Sequence, residues 1–192
     1  MTIASVAVNT VIVLATALLI GREFFAEGAW APRRGLKALR FFTQLSNLLC
    51  ALSALAMILA RVSGEVPLGV ALFKYAGTAA VTVTLMTVLL FLGPTMGYGA
   101  MLKGANLYLH LLGPARALFS WLALERQPLG PWALPAGMLP VALYAVVYLW
   151  KVVLSPESRR WEDVYGFNRG GRWPLALGTM LAGALAVCLL IR

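Results

Sequence analysis

The sequence predicts an all-α fold: one polytopic membrane domain over residues 1–192, an integral helical bundle of six transmembrane helices. Three observations carry that expectation. The chain is 61% hydrophobic and only 12% charged, whereas a soluble domain is about half apolar and a quarter charged. Six apolar stretches, at 2–21, 39–61, 70–93, 106–124, 133–154 and 174–191, approach the roughly 20 residues that cross a bilayer as a helix. Those runs are continuous and lack the period of two expected of barrel strands. Together they occupy most of the chain and leave no room for a separate soluble domain.

Span 1 has no basic residue before Arg22. It lacks the positive leader of a signal peptide and exceeds the usual apolar core of about 7–15 residues, so it reads as a retained helix. Turn-forming segments punctuate the chain: APRRG, SGEVPLG, GPTMGYG and RQPLGPW follow spans 1 to 4 in order. Trp30, Trp121, Trp132, Trp150 and Trp173 fall near span ends, where an aromatic belt sits.

Span 2 opens with RFFTQLSNLL at 40–49, unusually polar for a helix in lipid. Each helical residue turns about 100°, so with Thr43 at zero, Asn47 lies near about 40°, Cys50 near about −20° and Ser46 near about −60°. Phe41, Phe42, Leu45, Leu48, Leu49 and Leu52 take the other side. The span therefore shows lipid an apolar face and the bundle a polar one. Two readings stand. The stripe is interhelical adhesive, each hydrogen bond giving about 1 kcal/mol or less, with Thr43 bonding its own backbone; or it lines a site.

Span 3 carries Lys74 and Thr78 on one face, and Lys74 reads as a snorkelling lysine. Span 4, NLYLHLLGPARALFSWLAL, holds the single histidine of the chain. Asn106, His110, Gly113 and Ala117 form a narrow polar and small-residue stripe there. An intramembrane histidine is a functional candidate, with an interhelical hydrogen bond as its alternative. Arg116 follows Pro114 deep in the same span, with no deep acidic residue to neutralise it; the head of an anionic lipid is a candidate contact. In span 5, Pro140, Tyr144, Tyr148 and Lys151 share a face and read as packing. The loop LSPESRRWEDVYGFNRGGRW at 154–173 is either a cap on the membrane face or a solvated linker.

The net charge of +9 is unevenly placed. Arg22, Arg33, Arg34, Lys37, Arg40, Lys103, Lys151, Arg159, Arg160, Arg169 and Arg172 flank the first, third and fifth connections, against Arg61, Arg126 and Arg192 on the other side. The positive-inside rule then places loops 22–38, 94–105 and 155–172 in the cytoplasm, in a bacterial inner or plasma membrane. The charge reflects topology and anionic headgroups rather than nucleic acid. Cys50 and Cys188 lie apart in apolar spans, so no disulfide framework is expected. One histidine and two separate cysteines make a metal site improbable; no cofactor is expected. Missing intramembrane acids exclude an aspartate-dyad protease, and no GxSxG elbow occurs.

Depth joins spans 2 and 4, since both start at the basic face. Thr43 and His110 each fall four residues past the expected span start, roughly 6 Å below one surface at 1.5 Å per residue. A neutral imidazole in reach of a hydroxyl takes its proton and returns it to a leaving group. Asn47, a turn below Thr43, is a candidate oxyanion donor, with Asn106 in support.

These segments resemble the androgen-induced family of multipass threonine hydrolases and its bacterial six-span relatives. The shared pattern is aromatic-Thr-x-x-(Ser/Trp)-Asn-Leu-Leu, here Phe42 to Leu49, with a later His110 followed by Pro114 and Trp121. WEDVYGFNRGGRW looks more like the bacterial members. The resemblance implies a helical fold with Thr43 as nucleophile and His110 as its partner. It also implies hydrolysis of membrane lipid or fatty-acid esters; animal members cleave esters of branched hydroxy fatty acids. Glu162 or Asp163, in the last loop, is a candidate to orient the imidazole. The competing reading is a non-catalytic lipid-binding, transport or assembly protein, with Arg116 holding a headgroup.

Overall fold

The structure, a computed structural model, describes residues 2–192. Among the described residues six helices are long and apolar enough to cross a membrane: span 1 Thr2–Arg22, span 2 Phe42–Ser63, span 3 Leu68–Met96, span 4 Ala105–Glu125, span 5 Gly130–Leu154 and span 6 Trp173–Ile191. The chain is an all-α polytopic bundle. Each helix survives its polar residues because uninterrupted leucine, valine and alanine runs satisfy the backbone internally and leave only side chains to match with lipid.

Span 3 is the central rod. In its most apolar window 72% of residues are buried, against 22% in span 6. It packs on spans 2, 4, 5 and 6, while span 1 lies against spans 2 and 4. Small residues permit the close approach. A Cβ on Gly77 would run into Ser53 Oγ and stand 3.0 Å from Cys50 Cα, so glycine lets spans 2 and 3 touch backbone to backbone. The main apolar cluster sits where spans 3, 5 and 6 meet, around Tyr75, Val141 and Cys188. Trp121 belongs there too. It is fully buried and donates Nε1–H to the Ile191 carbonyl at 2.9 Å, which corrects its expected place in the aromatic belt. Trp132 and Trp150 are exposed near the two ends of span 5, and Trp30 is exposed in the connection between spans 1 and 2.

Span 2 is amphipathic as its pattern requires: Ser46, Asn47, Cys50 and Ser53 are buried, while Leu45, Leu52, Leu55 and Leu59 are exposed. It begins at Phe42 rather than Leu39, because a short helix, Pro32–Ala38, ends first and Phe41 is extended at φ −87° and ψ 135°.

Spans 3 and 4 share a local device. Each widens into a π-helical turn, Val88–Leu92 and Tyr108–Leu112, immediately before a Gly-Pro pair. Proline has no N–H and its ring crowds the carbonyl four residues back, so the regular ladder cannot continue there. The turn expands by one residue instead. Gly113 N–H donates to the Tyr108 carbonyl, and Gly93 N–H to that of Val88. His110 sits inside the span 4 turn.

Candidate active site

At the basic end of the bundle, spans 2 and 4 bring together the two residues singled out by their polar stripes. Thr43 Oγ1 lies 3.4 Å from His110 Nε2. The other ring nitrogen, Nδ1, is 2.7 Å from the Met101 carbonyl oxygen. A carbonyl only accepts, so Nδ1 carries the proton and Nε2 presents its lone pair to the hydroxyl. Thr43 is half-buried and His110 is buried at 6% exposure, so the imidazole is held from bulk water while the hydroxyl stays reachable.

The orienting group is thus a backbone carbonyl, which corrects the expected part of Glu162 and Asp163. Glu162 is exposed. Asp163 is committed to its own loop: its carboxylate accepts N–H bonds from Phe167 at 2.7 Å and Asn168 at 2.8 Å, and the Tyr148 hydroxyl at 3.2 Å. Met101 was not legible as a partner because a carbonyl has no sequence signature.

Asn47 also takes a different part from an oxyanion donor. Its amide donates to the Thr43 carbonyl at 2.8 Å and to the Leu109 carbonyl at 3.0 Å. Both amide hydrogens are spent on fixing spans 2 and 4 at the level of the Thr43–His110 pair. Ser46 adds a tie to span 3 through Thr84, 2.8 Å between hydroxyl oxygens. Asn106 is set apart from the pair, half-buried, and donates at 3.4 Å to the Ala100 carbonyl in the preceding turn.

The loop at 155–172 is a cap. Phe167 is buried against Tyr144, Tyr148 and Val152, and Trp161 N–H donates to the Lys151 carbonyl at 3.0 Å. Tyr165 reaches furthest in. Its phenol oxygen accepts the Phe42 N–H at 3.2 Å and lies against the hydroxyls of Thr43 and Tyr144. Burial pushes its pKa up, with the hydrogen bond from the Phe42 N–H opposing, so the phenol remains neutral. The Phe42 amide is one of the orphan donors that open a helix, and the phenol satisfies it. The aromatic loop contained the signal, but nothing in its spacing separated Tyr165 from Trp161.

Arg116 occupies another place. Its guanidinium lies over the Tyr108 ring at 5.6 Å and lines a lipid-facing groove of about 420 Å³ with Val8, Val11, Leu112, Ala115 and Phe119.

A second polar centre lies at the opposite end. Lys74 and Glu125 are both fully buried, their Nζ and Oε2 atoms 3.6 Å apart. Lys74 donates to Asn9 Oδ1 at 2.5 Å, Asn9 donates to Glu125 Oε1, and Ser5 donates to the same oxygen at 2.6 Å. Lys74 therefore does not snorkel, and its partner is the acid that closes span 4. A helix-face count could not show this, because the partner sits on another span.

Fold and sites define a polytopic integral membrane protein with a hydroxyl–imidazole pair at one end and a buried ion pair at the other. No family model, no curated protein and no solved structure matches the chain.

Proposed function

We propose that the protein is an intramembrane hydrolase of lipid esters, with Thr43 as nucleophile and His110 as general base. The observation that supports this most directly is the tautomer: Met101 holds the Nδ1 proton, leaving Nε2 to face Thr43 Oγ1 at 3.4 Å. That separation is long for a hydrogen bond, as catalytic contacts often are before substrate binds. In the reaction, Nε2 accepts the hydroxyl proton as Oγ1 attacks the acyl carbonyl. The tetrahedral adduct collapses, the bond to the leaving alcohol breaks, and the imidazolium returns the proton to that alcohol. Water then repeats the sequence on the threonyl ester and releases the acid, so ester and water give acid and alcohol. Tyr165, whose phenol lies beside Thr43, is the group nearest to hand to donate to the developing oxyanion. The resemblance to the androgen-induced family agrees with this assignment, and the positive-inside rule favours a site facing the cytoplasm.

A fluorophosphonate probe should label the wild type and fail on Thr43→Ala. Retained labelling of Thr43→Ala removes Thr43 as nucleophile. One feature favours a second reading, a lipid-holding protein without catalysis: Arg116, among the described residues, forms no ion pair and lines the lipid-facing groove. Lipid retention lost in Arg116→Ala, with no ester cleavage by wild type, would select it.

A further inference from the structure

Phospholipids present a phosphate at the membrane surface and acyl ester carbonyls one glycerol length deeper. The entrance to span 2 has that same order of chemistry. Lys37 and Arg40 lie at the surface, three residues apart, and Thr43 follows three residues further, just inside the span. Lys37, Arg40, Phe41, Trp161 and Glu162 line one small pocket under the cap loop.

Both cations are exposed, and among the described residues neither is ion-paired, since the ion pairs there are Arg34–Glu23 and Lys74–Glu125. Arg40 has its guanidinium 5.4 Å from the centroid of the Trp161 ring, which restrains the plane while leaving its N–H edge without a carboxylate. Lys151 adds a third positive charge, 6.0 Å from the same ring. Arg40 is held at its backbone as well: its carbonyl accepts the Tyr144 hydroxyl at 2.9 Å, and Tyr144 packs against Phe42 with centroids 5.0 Å apart. The anion-attracting groups and the nucleophile thus share one short, anchored stretch of backbone. Three residues span at most about 11 Å of chain and about 4.5 Å of helix rise, a range that brackets a glycerol unit.

We propose that Lys37 and Arg40 form a subsite for the phosphate of a glycerophospholipid, whose acyl ester is thereby set against Thr43. This rests on the hydrolase reading and names its substrate class. The balanced reaction is phospholipid plus water giving lysophospholipid plus fatty acid. A forked guanidinium and a neighbouring ammonium suit a phosphodiester held at the interface. Glu162, on the same pocket, disfavours a headgroup carrying further negative charge.

The test uses the full chain in dodecyl maltoside mixed micelles, offered phosphatidylglycerol, diacylglycerol or diacylglycerol hemisuccinate with identical acyl chains. Wild type should prefer phosphatidylglycerol over diacylglycerol by about tenfold in kcat/KM. Lys37→Gln/Arg40→Gln should erase the preference through KM, Lys37→Gln alone should erase part of it, and Lys37→Arg/Arg40→Lys should keep it. Lys37→Gln covers the case in which loss of the Arg40–Trp161 contact loosens the cap. A preference that survives in the double glutamine variant overturns the proposal. So does equal preference for the hemisuccinate, which would make the subsite a general anion site. No turnover of any lipid together with no Thr43-dependent probe label fails the hydrolase reading itself. Thr43-dependent cleavage of diacylglycerol without phosphate preference fails only the subsite.

Discussion

The Met101 carbonyl accepts the Nδ1–H of His110 at 2.7 Å, and this contact decides what the imidazole can do for Thr43. It aims the free lone pair at the hydroxyl 3.4 Å away. Nitrogen NMR of the uniformly labelled protein should therefore show the neutral Nδ1–H tautomer. The chain has a single histidine, so the signal needs no assignment. An Nε2–H tautomer at neutral pH would remove His110 as the base for Thr43.

Asn47 clamps spans 2 and 4 where that geometry is set. Replacing it with leucine keeps the volume but strands the Leu109 carbonyl, and should cost about 1–2 kcal/mol. Thermal unfolding in detergent measures the loss. Hydrolysis should fall further than stability does, since the hydroxyl and the ring lose their common reference.

Tyr165→Phe removes the phenol beside Thr43 while keeping the ring against Tyr148. If the phenol supports the oxyanion, kcat should drop by about 100-fold with probe labelling retained but slower. The same variant reads the raised pKa. A phenol whose folded pKa is raised by burial contributes stability that is full below about pH 10, its ordinary value, and is lost as pH climbs through the shifted one. Wild type should lose stability over that alkaline interval more steeply than Tyr165→Phe. Parallel curves would mean that the phenol is not held neutral by the fold.

Lys74→Met and Glu125→Leu each leave one half of a buried pair without its partner. Each single change should cost about 3–5 kcal/mol, and Lys74→Met/Glu125→Leu should cost less than either single change. A double-mutant cycle on unfolding temperature reports the difference. Additive losses would mean that the two side chains do not interact. Esterase activity should follow only the folded fraction, since the pair lies at the end of the bundle away from Thr43.

The spans could be read from the sequence because lipid demands long apolar runs, and such runs are rare by accident. The burial of Ser46, Asn47 and Cys50 followed from helical periodicity for the same reason. What periodicity does not contain is the identity of the neighbour. Lys74 looked like a residue reaching for water because its partners, Asn9 and Glu125, belong to two other helices. Trp121 looked like a belt residue because its distance from the span end was visible and the Ile191 carbonyl was not. Asp163 looked available because two N–H bonds within its loop and a hydroxyl from span 5 leave no pattern in the sequence.

The buried ammonium also constrains how the chain is made. Span 3 leaves the ribosome before span 4, carrying Lys74 in an otherwise apolar segment. A lone lysine inside a helix is costly, by about 2.5–3.5 kcal/mol at the bilayer centre and by less towards the end where Lys74 lies. Glu125, which neutralises it, is the final residue of the next helix. Lys74 therefore meets its counter-charge only when spans 3 and 4 lie side by side, which favours their entry into lipid as a hairpin.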